Sequence, residues 1–187
     1  MTLDVSDLSP TITPKSDQLN AEQLLGGPLT IRVTEVKIGA TEEQPVIVHY
    51  EGENGRPYKP CKTMRKLLVF AWGKDGRRWV GRSMTLYNEP AVKFGGQEVG
   101  GIRISHLSNI ETDLNVALTS TRGKKALHTI KILSVPDAIK SAETMDALKT
   151  AFGAAYKAAA DAAERSILKA GYDARAAELG AAMAKAA

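Results

Sequence analysis

From Leu29 onward, apolar and polar residues alternate with a period of two. Leu29, Ile31 and Val33 alternate with Thr30, Arg32 and Thr34, and Val36 and Ile38 extend the run. That period sends successive side chains to opposite faces of a half-buried strand. Residues 39–44 form a polar turn, and 45–50 (PVIVHY) read as a second strand closed by turn chemistry at 51–55. Over Lys62–Trp72 the period changes. Met64, Leu67, Leu68 and Ala71 fall at helical spacing, with Lys62, Arg65 and Lys66 on the other side, and residues 73–76 end the helix. Strand patterns return at 79–87, at 92–94 and 98–105 across Gly95 and Gly96, and at 114–119 and 126–133 around a turn at 121–125.

These elements predict a mostly β fold: five to seven short strands, with one helix inserted after the second or third. A small OB-like β-barrel, closed or nearly so, is the first expectation, because closure removes the exposed edges of short strands. An OB barrel would place its helix after the third strand, and periodicity alone leaves an open sheet with one packed helix as the alternative. The predicted organisation is an arm over 1–27, the β domain over 28–134 and a helical tail over 135–187. Residues 1–20 are rich in Ser, Thr, Asp and Pro and read as flexible. A single helical turn at 20–25 is capped by Asn20 and stopped by Gly26, Gly27 and Pro28. Beyond Pro136 the composition shifts: 17 of residues 151–187 are alanine. Residues 141–144 (SAET) cap a helix carrying the stripe Met145, Leu148, Phe152 and Tyr156, with Asp137 and Glu143 favourable near its N-terminus. A second helix over about 158–187 carries Ile167, Leu168, Tyr172 and Leu179. Alanine favours helix but buries little, so the tail reads as a solubilising or self-associating appendage.

The 187 residues are 43% apolar and 25% charged, enough to bury a core. Cys61 is the only cysteine, which excludes a disulfide framework and a cysteine-rich zinc site and fits a reducing cytosol. With no predicted histidine partner, Cys61 reads as structural. No apolar run approaches the roughly 20 residues of a bilayer span, and the acidic, polar residues 1–17 do not resemble a signal peptide. A cytoplasmic protein without membrane contact is expected. Charge is unevenly placed. Residues 1–54 carry three Lys/Arg and nine Asp/Glu, a net of −6; residues 55–131 carry fifteen and five, a net of +10; residues 132–187 carry seven of each. Seven of the ten aromatics fall between Tyr50 and Phe94, six of them in the basic block. Cations that track phosphates, interleaved with rings that stack on bases, are what a single-stranded nucleic acid requires.

Catalytic motifs are missing. His49, His106 and His128 lie in no zinc-binding spacing, and His49 reads as a hydrogen-bonded core histidine. There is no nucleophile elbow and no phosphate loop. The acids of the basic block, Asp75, Glu89, Glu98, Glu111 and Asp113, are scattered, whereas a two-metal nuclease needs clustered carboxylates. No enzyme activity, cofactor or metal is therefore expected. The candidate phosphate contacts are Arg56, Lys59, Lys62, Arg65, Lys66, Arg77, Arg78, Arg82, Lys93, Arg103, Arg122, Lys124 and Lys125. The candidate stacking rings are Tyr58, Trp79, Tyr87 and Phe94, with Trp72 assigned to the core. The hairpin tip Arg122–Lys125 is the strongest electrostatic candidate.

Three stretches carry a resemblance: 16–28 (SDQLNAEQLLGGP), 50–65 (YEGENGRPYKPCKTMR), and 80–87 (VGRSMTLY) through Val92-Lys-Phe-Gly-Gly to 100–106 (GGIRISH). Over about 16–133 the chain resembles a family of small, mostly hypothetical proteins of tailed phages and prophages, often encoded near early replication and recombination functions. The stretches 139–148 and 172–179 look like the helical tail of phage recombination proteins, annealing recombinases included. Unlike familiar single-strand-binding proteins, this chain ends in Ala-Met-Ala-Lys-Ala-Ala rather than an acidic recruiting tail. The resemblance supplies context more than activity; together with the basic, aromatic block it leads to the expectation of a phage single-stranded DNA-binding accessory protein in a host bacterial cytoplasm, with phage recombination or host proteins as partners. The alternative is a protein–protein adaptor or an inhibitor of a host defence enzyme. No reader of a ribose 2′-hydroxyl separates DNA from RNA, and the alanine-rich helices allow homo-oligomers.

Overall fold

The computed structural model describes residues 16–39, 41–121 and 124–186. Strand β1 (Leu29–Ile38) turns Ile31 and Val33 into the core and leaves Arg32 and Thr34 outside, as its alternation requires. Its first half, Leu29 to Arg32, pairs with β3 (Ser83–Glu89), and from Val33 onward it pairs with β2 (Val46–Tyr50). The switch of partner coincides with a bulge between Val33 and Glu35, which lets one strand bend from one neighbour to the next. Helix α1 (Lys62–Trp72) lies where its periodicity predicts, after β2, and buries Met64, Leu67, Leu68 and Trp72. Each such side chain contributes about 1.5–3 kcal/mol. Gly73 ends the helix at φ +88°, and its N–H donates to the Val69 carbonyl.

The sheet runs β2-β1-β3-β6-β8-β7, completed by β6 (Gly101–Leu107), β7 (Leu114–Thr121) and β8 (Lys124–Ile132). Neighbours are antiparallel except β6 and β8, which pair in parallel at His106–Lys131 and Leu107–Ile132. A separate small hairpin joins β4 (Lys93–Phe94) and β5 (Gln97–Glu98). Two predicted strands need correction. The one expected at 79–87 begins at Ser83, because Asp75 caps a 3-10 turn over Gly76–Trp79 by accepting from the Arg77 N–H at 3.1 Å. The one expected at 98–105 is broken at Gly100 (φ +72°) into β5 and β6.

The expected closed OB-like barrel is not formed, because β2 and β7 are the two ends of the sheet and do not pair with each other. Helix α1 supplies the cover that closure would have given. Its buried side chains join Ile31, Val33, Val48, Met84, Leu86, Ile104, Leu107 and Ile130 in one core, with Leu114 and Val116 of β7 packed on it. The outer edge of β2 is covered by the chain at Tyr58, whose N–H and carbonyl both bond Val48.

Residues 1–15 of the predicted arm lie outside the described residues. Of the rest, Leu19 and Leu24 are buried. The turn at 20–25 forms as a 3-10 turn over Ala21–Leu24, with the Gln23 side chain accepting from the Asn20 N–H at 2.9 Å.

The C-terminal segment folds as α2 (Asp137–Lys140), α3 (Met145–Ala158) and α4 (Ala162–Ala186). Thr144 caps α3, its hydroxyl accepting from the Ala147 N–H. Ile139, Ala142, Leu148 and Leu168 form a second core, with Phe152 packed 4.8 Å from Tyr172. These helices are docked rather than free. The Ser166 hydroxyl of α4 accepts from the Thr30 N–H at 2.9 Å and bonds the Thr30 hydroxyl at 3.0 Å. β2 pairs with β1 only from Val33 onward, so α4 covers the stretch of β1 edge that β2 leaves bare.

Candidate functional site

The periodicity that buries one side of α1 turns the other outward. Lys62, Lys66 and Phe70 recur every four residues and therefore share one face. All three are exposed, as is Val69 beside them. Phe70 is 68% exposed. Between Lys62 and Arg82 the chain carries seven Lys/Arg and a single acid, Asp75, a net of +6. Sequence reasoning assigned Phe70 no role, because it sits in the apolar run LLVFAW. The i, i+4, i+8 spacing from Lys62 was the signal that could have found it.

The structure separates the other predicted contacts into groups. Arg77 and Arg78 are exposed in the 3-10 turn after α1. Arg77 binds Asp75 through two of its nitrogens, at 3.0 and 2.9 Å, and the Arg77 contacts hold the Asp75 carboxyl below the usual carboxylate range. Arg65 is half-buried on the flank of α1, with its Nη1 buried and unpartnered among the described residues. Arg82 is half-buried, its guanidinium 5.7 Å from the centre of the Trp72 ring. Arg56 is half-buried in the loop after β2. Lys59 is mostly buried, at 17% side-chain exposure, and paired with Asp17 at 2.7 Å. Lys93 pairs with Glu98 across the β4–β5 hairpin, Arg103 lies against Cys61, and Lys125 is exposed on β8. Arg122, together with the side chains of Phe94 and Lys124, lies outside the described residues.

Two of the predicted stacking rings are core residues. Trp79 is 3% exposed, donates its indole N–H to the Gly73 carbonyl at 2.9 Å, and packs tilted on Trp72 with ring centres 6.2 Å apart. The 3-10 turn folds it under the end of α1. Tyr58 is 1% exposed, because its backbone pairs with the β2 edge and the ring is carried inward. Burial disfavours the phenolate and pushes the Tyr58 pKa well above the ordinary tyrosine range. Tyr87 is half-buried, its ring nearly parallel to that of His128 at 6.4 Å. Trp72 is buried, as expected, and donates to the Ser108 carbonyl at 2.8 Å.

No family model, curated protein or solved structure matches this chain.

Three cavities lie among the described residues. A groove of about 780 Å³ runs between β1 and α4, past Thr30, Arg32 and Arg175. A pocket of about 490 Å³ lies where β8 meets α3 and α4, at His106. A cleft of about 600 Å³ lies at the start of α1, with Tyr58, Lys59, Cys61, Thr63 and Arg103 on its wall. Cys61, expected as a structural thiol, is exposed there. His49 hydrogen-bonds Glu53 at 2.9 Å and is half-buried. Among the described residues no three His, Cys, Asp or Glu side chains group as metal ligands, and no helix is long and apolar enough to cross a membrane.

Proposed function

We propose that the protein binds single-stranded nucleic acid, DNA in the first place, through the outward face of α1 and the basic turn after it, as an accessory to phage replication or recombination. One observation carries the reading: an exposed Phe70 on the same helical face as Lys62 and Lys66. A ring left in water beside two cations gains a flat apolar partner and two phosphates from one bound strand. Lys74, Arg77 and Arg78 continue the charge past the end of the helix. The phage setting comes from the sequence resemblance of residues 16–133 and not from any matched protein. The reading needs only the exposed face and not a closed barrel. Self-association through the tail would fall to the second half of α4, since Ile167 and Leu168 are already buried.

Fluorescence anisotropy tests the reading, using a labelled oligo-dT of roughly 30 nucleotides, more than one typical site length, with the matching duplex and an RNA across a salt series. The expected result is a single-strand preference whose log affinity falls linearly with log salt. Absence of binding at low salt overturns it. A second reading, an adaptor or inhibitor gripping an acidic host protein, draws on Val69 and Phe70 as an apolar centre with a basic rim. A partner retained in pull-downs after nuclease digestion supports that reading.

A further inference from the structure

The cleft at the start of α1 lies apart from the outward Lys66–Phe70 face, and three features converge on it. Cys61 occupies the N-cap position of this 11-residue helix without a side-chain hydrogen bond to the first-turn amides, and no acid stands in that turn. The amide donors and the positive end of the helix dipole are thus left without an anionic partner. Tyr58, on the same wall, is buried with its hydroxyl unpartnered among the described residues, which native interiors rarely tolerate unless something supplies the partner. Among the described residues the Arg103 guanidinium hydrogen-bonds only the Cys61 sulfur, at 3.7 Å, a weak acceptor. The neighbouring cations are committed, Lys59 to Asp17 and Lys93 to Glu98. Tyr58, Cys61 and Arg103 all line this cleft, and Arg103 touches Cys61.

We infer that this cleft is an anion site for a phosphate group, whose oxygens accept from the Arg103 guanidinium, the Tyr58 hydroxyl and the first-turn amides of α1. Phosphate suits it because several donors converge from different elements and a phosphate carries enough acceptor oxygens to meet them together. An anion that draws Arg103 off the sulfur gives up only a weak contact. Glu22 also lies on the wall; with Lys59 and Lys93 already paired to carboxylates, Arg103 is the cation that faces it. The phosphate is either free or the 5′ end of a strand. The inference does not rest on strand binding by α1.

Cys61, the only cysteine and exposed on the cleft wall, reports occupancy in the full chain. The measurements are its alkylation rate by iodoacetamide and the Tm, in inorganic phosphate against chloride at matched ionic strength and pH. Phosphate is expected to slow alkylation and raise Tm saturably. Arg103→Gln and Tyr58→Phe are each expected to raise the half-protecting concentration about tenfold, as loss of one strong hydrogen bond does. Tyr58→Phe removes an unpaired hydroxyl, so without phosphate it is expected to be at least as stable as the parent, which separates lost binding from lost folding. Phosphate acting no differently from chloride, or protection unchanged in both variants, overturns the site. Protection by 5′-phosphorylated oligo-dT, but not by its 5′-hydroxyl twin, assigns a strand end. Protection by inorganic phosphate, with no gain from the oligonucleotide, assigns the free anion. Equal protection by both oligonucleotides that persists in Arg103→Gln means a strand merely shields the thiol, and overturns the site. A Lys66→Glu/Phe70→Ala chain that no longer binds strands is expected to keep the phosphate response.

Discussion

Removing the indole of Trp79 should unfold the protein before it weakens any bound strand, and removing the ring of Phe70 should do the reverse. Trp79 is almost fully buried against Trp72 and holds the Gly73 carbonyl through its N–H. Truncation to alanine should therefore cost about 3–5 kcal/mol, much of a typical domain's 5–15 kcal/mol. Trp79→Phe keeps most of the burial but leaves that carbonyl without its donor, a loss of about 1–2 kcal/mol. Phe70 already exposes two thirds of its surface, so Phe70→Ala should stay within about 0.5–1 kcal/mol. If Phe70 stacks on one base, its loss should weaken single-strand binding by about 1–3 kcal/mol, roughly 5- to 150-fold in Kd. Urea denaturation followed by tryptophan fluorescence gives the first quantity and anisotropy with oligo-dT the second, at one salt concentration. Trp79→Phe weakening binding more than Phe70→Ala would refute the assignment of the interface to α1. So would an unchanged Kd in Phe70→Ala.

Lys62→Glu and Lys66→Glu should each reduce the slope of log affinity against log salt by about 0.7, the value for one lost single-strand phosphate contact; unchanged slopes would remove those lysines from the interface. Ser166→Ala should cost about 1–3 kcal/mol by leaving the Thr30 N–H without its acceptor, and the Thr30 amide should exchange faster with deuterium. Unchanged exchange there would argue against docking of α4 on β1. Burial, aided by the charge of Lys131, holds the His106 pKa below the usual histidine range, with Asp161, Glu164 and Asp113 opposing. The folded chain then binds fewer protons than the unfolded one, so stability is greatest above the unfolded pKa of about 6.5 and declines as pH falls below it. His106→Asn should flatten that decline in urea midpoints measured between about pH 7.5 and 5.5, and a parent whose midpoint does not fall across that window would contradict it. Gly100 holds φ +72°, and a Cβ there would sit 2.9 Å from the Asn88 side-chain oxygen. Gly100→Ala should therefore lose about 1–3 kcal/mol in the same assay, and an unchanged midpoint would contradict it.

What the sequence determined by itself is local. The bounds of α1 follow from the spacing of Met64, Leu67 and Leu68 and from the stop at Gly73. The alternation of β1, the turn capped at Asn20 and the start of α3 at Thr144 are equally short-range, because each depends on bonds or faces within a few residues. The excess of positive charge between Lys62 and Arg82 is a matter of composition. Which ring meets water is not. Trp79 and Phe70 both lie in that basic stretch, yet one is buried because the 3-10 turn folds under α1 and the other is exposed because its helical face points away from the sheet. Closure was likewise beyond periodicity, since β2 and β7 carry strand patterns whether or not they meet. In the structure they lie at opposite ends of the sheet, and α1 packs into the same core. The tail, alanine-rich and weakly patterned, gave no sign that Ser166 would bond a strand residue 136 positions earlier. Only tertiary structure decided these points, because each depends on which distant surfaces bury one another, and a one-dimensional pattern carries no record of that choice.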